Sequence, residues 1–127
     1  MKILLIDDDL FFQKFYSLKL KEQGIEVDIA SDGEEGFAKA GQFAPDLILL
    51  DLIMPKVDGF SFLQKRLADE NIKKIPVIVF STLGQEKDIE NAKQLGAIDY
   101  IDKTFFDFNA MMEKINKYNI LKSRLTR

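Results

Sequence analysis

Four short stretches carry side chains able to do chemistry, and each lies within two residues of the end of an apolar run: Asp7-Asp8-Asp9, Asp51, Ser81-Thr82 and Lys103. Three acidic positions, a hydroxyl and an ammonium are a set for holding a cation and handling an oxyanion. His and Cys are both absent from the 127 residues. That excludes imidazole bases, thiolate nucleophiles, zinc-type N/S sites and disulfides. Only oxygen ligands remain. Carboxylates about 5 Å apart repel by roughly 3 kcal/mol per pair at an effective dielectric near 20. A hard divalent ion relieves that repulsion. Mg²⁺ suits two or three carboxylates plus a backbone carbonyl, because it keeps several waters and accepts phosphate oxygens; Mn²⁺ is a substitute. The charge count agrees. Without Asp7, Asp8 and Asp51, the 21 acids fall to 18, equal to the 18 bases.

Such a cluster needs elements that bring it together. Five apolar runs recur: Ile3–Ile6, Ile25–Ile29, Leu47–Leu50, Val77–Phe80 and Ile98–Ile101. The first, third and fourth are apolar at every residue, as strands covered on both faces are. The second alternates Val27 and Ile29 with Glu26 and Asp28, and reads as an edge strand. Helical spacing lies between the runs, over 10–22 (Phe11, Phe12, Phe15, Leu18), 33–42, 59–68, 86–95 and 107–119. On this phasing Phe11, Phe12 and Phe15 belong to the core. Gly24, Gly41 and Gly96 mark helix stops. Strand–helix alternation repeated five times predicts an α/β fold with a parallel sheet, right-handed crossovers and helices on both faces. Open sheets of this kind carry their sites at the carboxyl ends of the strands. The four chemical stretches fall there.

Each piece alone has a plainer reading. Asp7 to Asp9 cap a helix, with Asp9 the cap itself. Ser81 and Thr82 end a strand, Lys103 is a solvated lysine, and Tyr100 is a half-buried strand aromatic. Joint placement at one sheet edge favours the functional reading.

The pieces also carry a resemblance. Leu4-Leu5-Ile6-Asp7-Asp8-Asp9, Asp51-Leu52-Ile53-Met54-Pro55 with Asp58-Gly59, Pro76 to Ser81, and Gly96 to Lys103 stand in order and spacing. Together they resemble the receiver domain of two-component response regulators, from Met1 to about Asn119. The resemblance implies a flavodoxin-like, doubly wound (βα)5 fold with a five-stranded sheet of order 2-1-3-4-5. It implies that Asp51 is the phosphoacceptor, and that Asp7, Asp8, Asp51 and the backbone carbonyl of Ile53 hold Mg²⁺. It further implies that Ser81, Lys103 and Tyr100 bind the phosphoryl group or switch with it; Thr82 is a nearby hydroxyl one step past the family's position, where a small Ala or Gly is common. The expected phosphodonor is a histidine kinase or phosphotransfer protein. The expected output face is the fourth helix, fifth strand and fifth helix, where Tyr100, Phe105, Phe106 and Met111 supply apolar surface. The chain departs from the pattern at Thr104, where the family has Pro. A trans Lys103–Thr104 peptide is therefore expected, since a cis bond before a non-proline costs about 2.5–4 kcal/mol.

The expected organisation is a receiver over 1–120 and a short basic tail over 121–127. A net charge of −3 argues against direct nucleic-acid binding. No apolar run reaches membrane-span length, and Asp7 interrupts the amino-terminal run too early for a signal peptide. The expected location is the cytoplasm. Three competing readings share the fold or the chemistry. They are an aspartate-nucleophile phosphatase, a pseudo-receiver that binds constitutively, and the amino-terminal receiver of a longer transcription regulator.

Overall fold

The computed structural model describes residues 1–54, 56–82, 84–103 and 107–125, with side chains as far as Asn119. Five strands alternate with five α-helices: β1 Lys2–Ile6, α1 Leu10–Glu22, β2 Glu26–Ala30, α2 Gly33–Phe43, β3 Leu47–Leu50, α3 Gly59–Arg66, β4 Val77–Ser81, α4 Glu86–Gln94, β5 Asp99–Asp102 and α5 Phe108–Leu125. A one-turn 3₁₀ helix over Ile72–Lys74 precedes β4. All pairings are parallel, and the order is β2-β1-β3-β4-β5.

Strand residues alternate between two cores, which explains why the central strands are apolar throughout. Leu4, Ile6, Ile48, Leu50, Val77 and Val79 face one cluster, completed by Phe62, Leu63, Ala40 and Ala92 from α2, α3 and α4. Ile3, Leu5, Leu47, Leu49, Ile78 and Phe80 face the other, completed by Tyr16, Leu20, Met111 and Ile115 from α1 and α5. Every residue of β3 is fully buried. Burial of each such side chain contributes about 1.5–3 kcal/mol, so the sheet centre dominates the stability.

Three of the helices start on acids, and three stop on left-handed backbone. Asp9, Asp32 and Asp58 each accept backbone N–H bonds at the starts of α1, α2 and α3. Gly24 (φ 79°) and Gly96 (φ 101°) take left-handed backbone after α1 and α4. Gly41 does not end α2. The helix runs through it to Phe43, and Ala44 makes the left-handed stop at φ 51°. α5 continues past 119 to Leu125.

One helix face differs from the sequence expectation. On α1 the buried residues are Gln13, Tyr16, Ser17 and Leu20. Phe12 and Phe15 are half-buried at the margin, while Phe11 is 67% exposed and Leu18 59%. The true phase carries two polar residues, so the more apolar phase misled the reading. Gln13 is buried because its amide finds partners: Nε2 donates to the Asp7 carbonyl at 2.5 Å and to Ser31 Oγ at 3.1 Å. Met111 is likewise fully buried against the sheet, so it supplies core and not an output surface. Phe105, Phe106 and the Lys103–Thr104 peptide lie outside the described residues.

Candidate functional site

The ladder itself delivers the two central acids. Asp7 follows β1, and its N–H bonds the Ala30 carbonyl at 3.0 Å. Asp51 follows β3, and its N–H bonds the Ile6 carbonyl at 2.9 Å. Each is held one residue beyond its strand, at the carboxyl edge. Gly59 permits this crowding, because a Cβ there would strike the Asp51 carbonyl and the Leu52 backbone.

The carboxylates of Asp7, Asp8 and Asp51 converge, with one oxygen from each lying within 4.8 Å of the others. Asp7 and Asp51 are buried, and Asp8 is exposed. Their occupancy differs. Asp7 Oδ1 accepts the Asp9 N–H at 2.9 Å, and its Oδ2 holds the Lys103 ammonium in direct contact. Asp51 Oδ2 lies 3.4 Å from the same ammonium, and its Oδ1 receives only a long 3.4 Å bond from the Ile53 N–H. Asp8 makes no hydrogen bond or ion pair among the described residues. Of the two carboxylates, Asp7 is the lysine's closer partner. Burial pushes the Asp7 carboxyl above its ordinary range; Lys103 and the Asp9 N–H oppose that shift, and the charge of Asp51 adds to it. The donors fit a hard divalent cation: three oxygens close together, one of them unpartnered and open to solvent.

Lys103 is buried, its side chain only 3% exposed. Its ammonium lies 4.4 Å from the Phe12 ring centroid and 5.2 Å from that of Phe80. Ser81 ends β4, fully buried beside β5, whereas Thr82 is exposed one step further. The Tyr100 ring is half-buried against the α2–α3–α4 core, and its phenol hydrogen-bonds Ser81. Burial, then the charge of Asp88, pushes that phenol up to about 12 against the opposing Ser81 bond. Ile53 stands two residues after Asp51 and is 51% exposed. Leu83, two after Ser81, lies outside the described residues.

Of the sequence-predicted site residues, Asp7, Asp8, Asp51, Ile53, Ser81 and Lys103 end or follow strands at one edge of the sheet, with Thr82 beside Ser81, whereas Tyr100 lies inside β5 opposite Val79. Sequence reading missed Gln13, Phe12 and Phe80. The one available signal for Gln13 was a second 3–4 spacing on α1, Gln13-Tyr16-Ser17-Leu20, starting just inside the cap.

An open five-stranded parallel sheet of order 2-1-3-4-5 with an acid cluster at its carboxyl edge defines a class, the flavodoxin-like fold. A model of the response regulator receiver domain matches residues 3–116. The chain belongs to the response regulator receiver domain family, the phosphoacceptor switches of two-component signalling. It is 42% identical over 114 residues to the DNA-binding dual master transcriptional regulator RpaA of Synechocystis, covering 90% of this chain and 47% of that one. It is 38% identical over 118 residues to the chemotaxis protein CheY of Treponema pallidum, covering 90% of this chain and 79% of that one. The chain spans about half the length of the transcriptional regulators it matches. Among solved structures, Vibrio cholerae CheY4 superposes with a TM-score of 0.84 at 28% identity, covering 91% of this chain and 96% of that one. The receiver domain of Francisella response regulator 1452 gives 0.81 at 34% identity, covering 98% of both. Receiver domains bind a divalent metal in an acidic pocket and engage histidine kinases and downstream targets. No helix among the described residues is long and apolar enough to cross a membrane.

Proposed function

We propose that Asp51 accepts the phosphoryl group. Its carboxylate oxygen attacks phosphorus in line, and an O–P bond forms as the donor's N–P bond to phosphohistidine breaks. The donor is a histidine kinase or phosphotransfer protein, because this chain has no His of its own. What supports the reading above all is a buried acceptor carboxylate with a lysine ammonium 3.4 Å away and two further acids within 4.8 Å. Asp7, Asp8, Asp51 and the Ile53 carbonyl would hold Mg²⁺. Bound there, the ion would neutralise charge on the transferring oxygens. Lys103 pairs with the growing negative charge on the phosphoryl group. Ser81 donates its hydroxyl proton to a phosphoryl oxygen, which frees Tyr100 to move. Thr82, exposed and one residue late, is a second donor near the mouth of the site.

The output is a changed α4–β5–α5 surface read by a protein target. The chain acts as a switch that assists its own phosphorylation and dephosphorylation, not as an enzyme with a separate substrate. Residues 1–120 form the receiver and 121–127 a basic extension; the setting is cytoplasmic. The test is incubation with acetyl phosphate and Mg²⁺, followed by mass mapping. One phosphoryl group on Asp51 is expected, and none in Asp51→Asn with the fold intact. A label on another residue, or steady turnover of phosphate esters, overturns the reading.

A further inference from the structure

We propose that the ring faces of Phe12 and Phe80 are positioning elements for the Lys103 ammonium, holding it dry between Asp7 and Asp51. The inference rests on the functional reading above for its consequence, though not for its geometry.

An ammonium has three donors, and this one is shut away from water. Asp7 takes one in direct contact. Asp51, at 3.4 Å, is a loose second partner. Ring centroids at 4.4 and 5.2 Å lie within the roughly 6 Å reach of a cation–π attraction, which strengthens when the cation is desolvated. The rings are themselves braced. Phe12 stacks on Tyr16 at 5.5 Å, Tyr16 meets Phe80 edge-on at 4.8 Å, and Phe12 meets Phe80 edge-on at 6.4 Å. Phe12 belongs to α1 and Phe80 to β4, so two separate elements flank the lysine.

Rings suit this task better than another acid. A third carboxylate would lock the ammonium by directed hydrogen bonds and add repulsion to Asp7 and Asp51. A π face attracts a cation without a single preferred direction. The ammonium can then turn from Asp7 toward charge that grows at Asp51 while staying dehydrated. Lysine has four side-chain torsions, and the rings limit where they can lead.

Three measurements on the intact protein test this. By NMR, the Lys103 ε-methylene protons should lie upfield of free lysine, because the ammonium they carry sits over aromatic faces, and should move downfield in Phe12→Leu. In saturating Mg²⁺, beryllofluoride affinity should fall about 3–10-fold in Phe12→Leu and recover in Phe12→Tyr, which keeps the ring. Mg²⁺ affinity in the same variant should hold or rise, since a less confined ammonium repels the ion less. A merely structural role would lower both affinities together. Phe80→Leu should shift the same lysine resonances, a second reading from the other ring. Lysine resonances at free-lysine positions in the wild type, or parallel losses of both affinities, overturn the proposal. So does unchanged beryllofluoride binding in Phe12→Leu. Should the wild type fail to bind beryllofluoride, the functional reading falls, and the lysine resonances still decide the ring contact.

Discussion

Among the described residues two cations are buried, at two different places, and their surroundings differ in kind. Lys103 sits at the carboxyl edge of the sheet between two carboxylates and two rings. Arg66, 3% exposed, ends α3 and has no carboxylate partner in any ion pair among the described residues. Its Nη1 donates to the Lys73 carbonyl at 2.9 Å and its Nη2 to the Leu95 carbonyl at 3.4 Å, while Nε has no partner. Leu95 follows α4, so the guanidinium meets the negative end of that helix. Burial holds its pKa below the usual range. Gly96 completes the nest, because a Cβ there would strike Nη2. Backbone carbonyls cannot move without moving the fold, so Arg66 is a clamp. Carboxylates can exchange one cation for another, so Lys103 is a replaceable occupant. The lesson is that a buried cation signals function when its counter-ions can be re-partnered.

Removing each cation should separate the two roles. Lys103→Met leaves Asp7 and Asp51 facing each other unpaired, at a cost of order 3 kcal/mol without metal. Millimolar Mg²⁺ should return most of that loss. Arg66→Met strands two carbonyls, at a cost of about 1–3 kcal/mol, and Mg²⁺ should not repair it. Chemical denaturation of both variants with and without Mg²⁺ checks this. Equal rescue of both would erase the distinction.

The site's lifetime offers a finer probe. Ile53 cannot orient an attacking water by a hydrogen bond, so the acyl phosphate should be long-lived. Ile53→Asn should speed its loss about tenfold, followed by phosphoprotein decay after donor removal.

Asp8 is the exposed member of the acid cluster, so relieving it has a smaller effect. Asp8→Asn should raise the melting temperature by about 2–4 °C without metal and abolish the stabilisation that Mg²⁺ gives the wild type. Identical melting of the wild type with and without Mg²⁺ would contradict it.

The smallest effect is confined to alkaline pH. The Tyr100 phenol is raised to about 12 in the fold from 10.0. Between those values the unfolded chain releases its proton first, so stability falls as pH rises through that window and is unaffected below it. Ultraviolet titration of the wild type against Tyr100→Phe should locate the late phenol, and the variant should lose less stability there.

Much of this protein was legible in one dimension. Runs such as Leu47–Leu50, apolar at every residue and bounded by turn signals, read as strands covered on both sides, and five alternations imply a parallel sheet, whose order came from the family resemblance. Strand ends are local features, so Asp7, Asp51, Ser81 and Lys103 could be placed at one edge before any coordinates. Asp9 was a helix start on the same local grounds. Pairing was not legible. Lys103 and Asp7 are 96 residues apart, and nothing local ranks Asp7 above Asp51 as the lysine's partner. The face of α1 was misread for a related reason. Periodicity gives a stripe, and only the packed sheet and the Asp7 carbonyl decide that Gln13 turns inward and Phe11 outward. Arg66 reads as a surface arginine until α4 and the 3₁₀ turn close over it. Residue types and spacing determine which groups reach the edge. Burial, set by contacts between distant elements, determines which charges must find each other there.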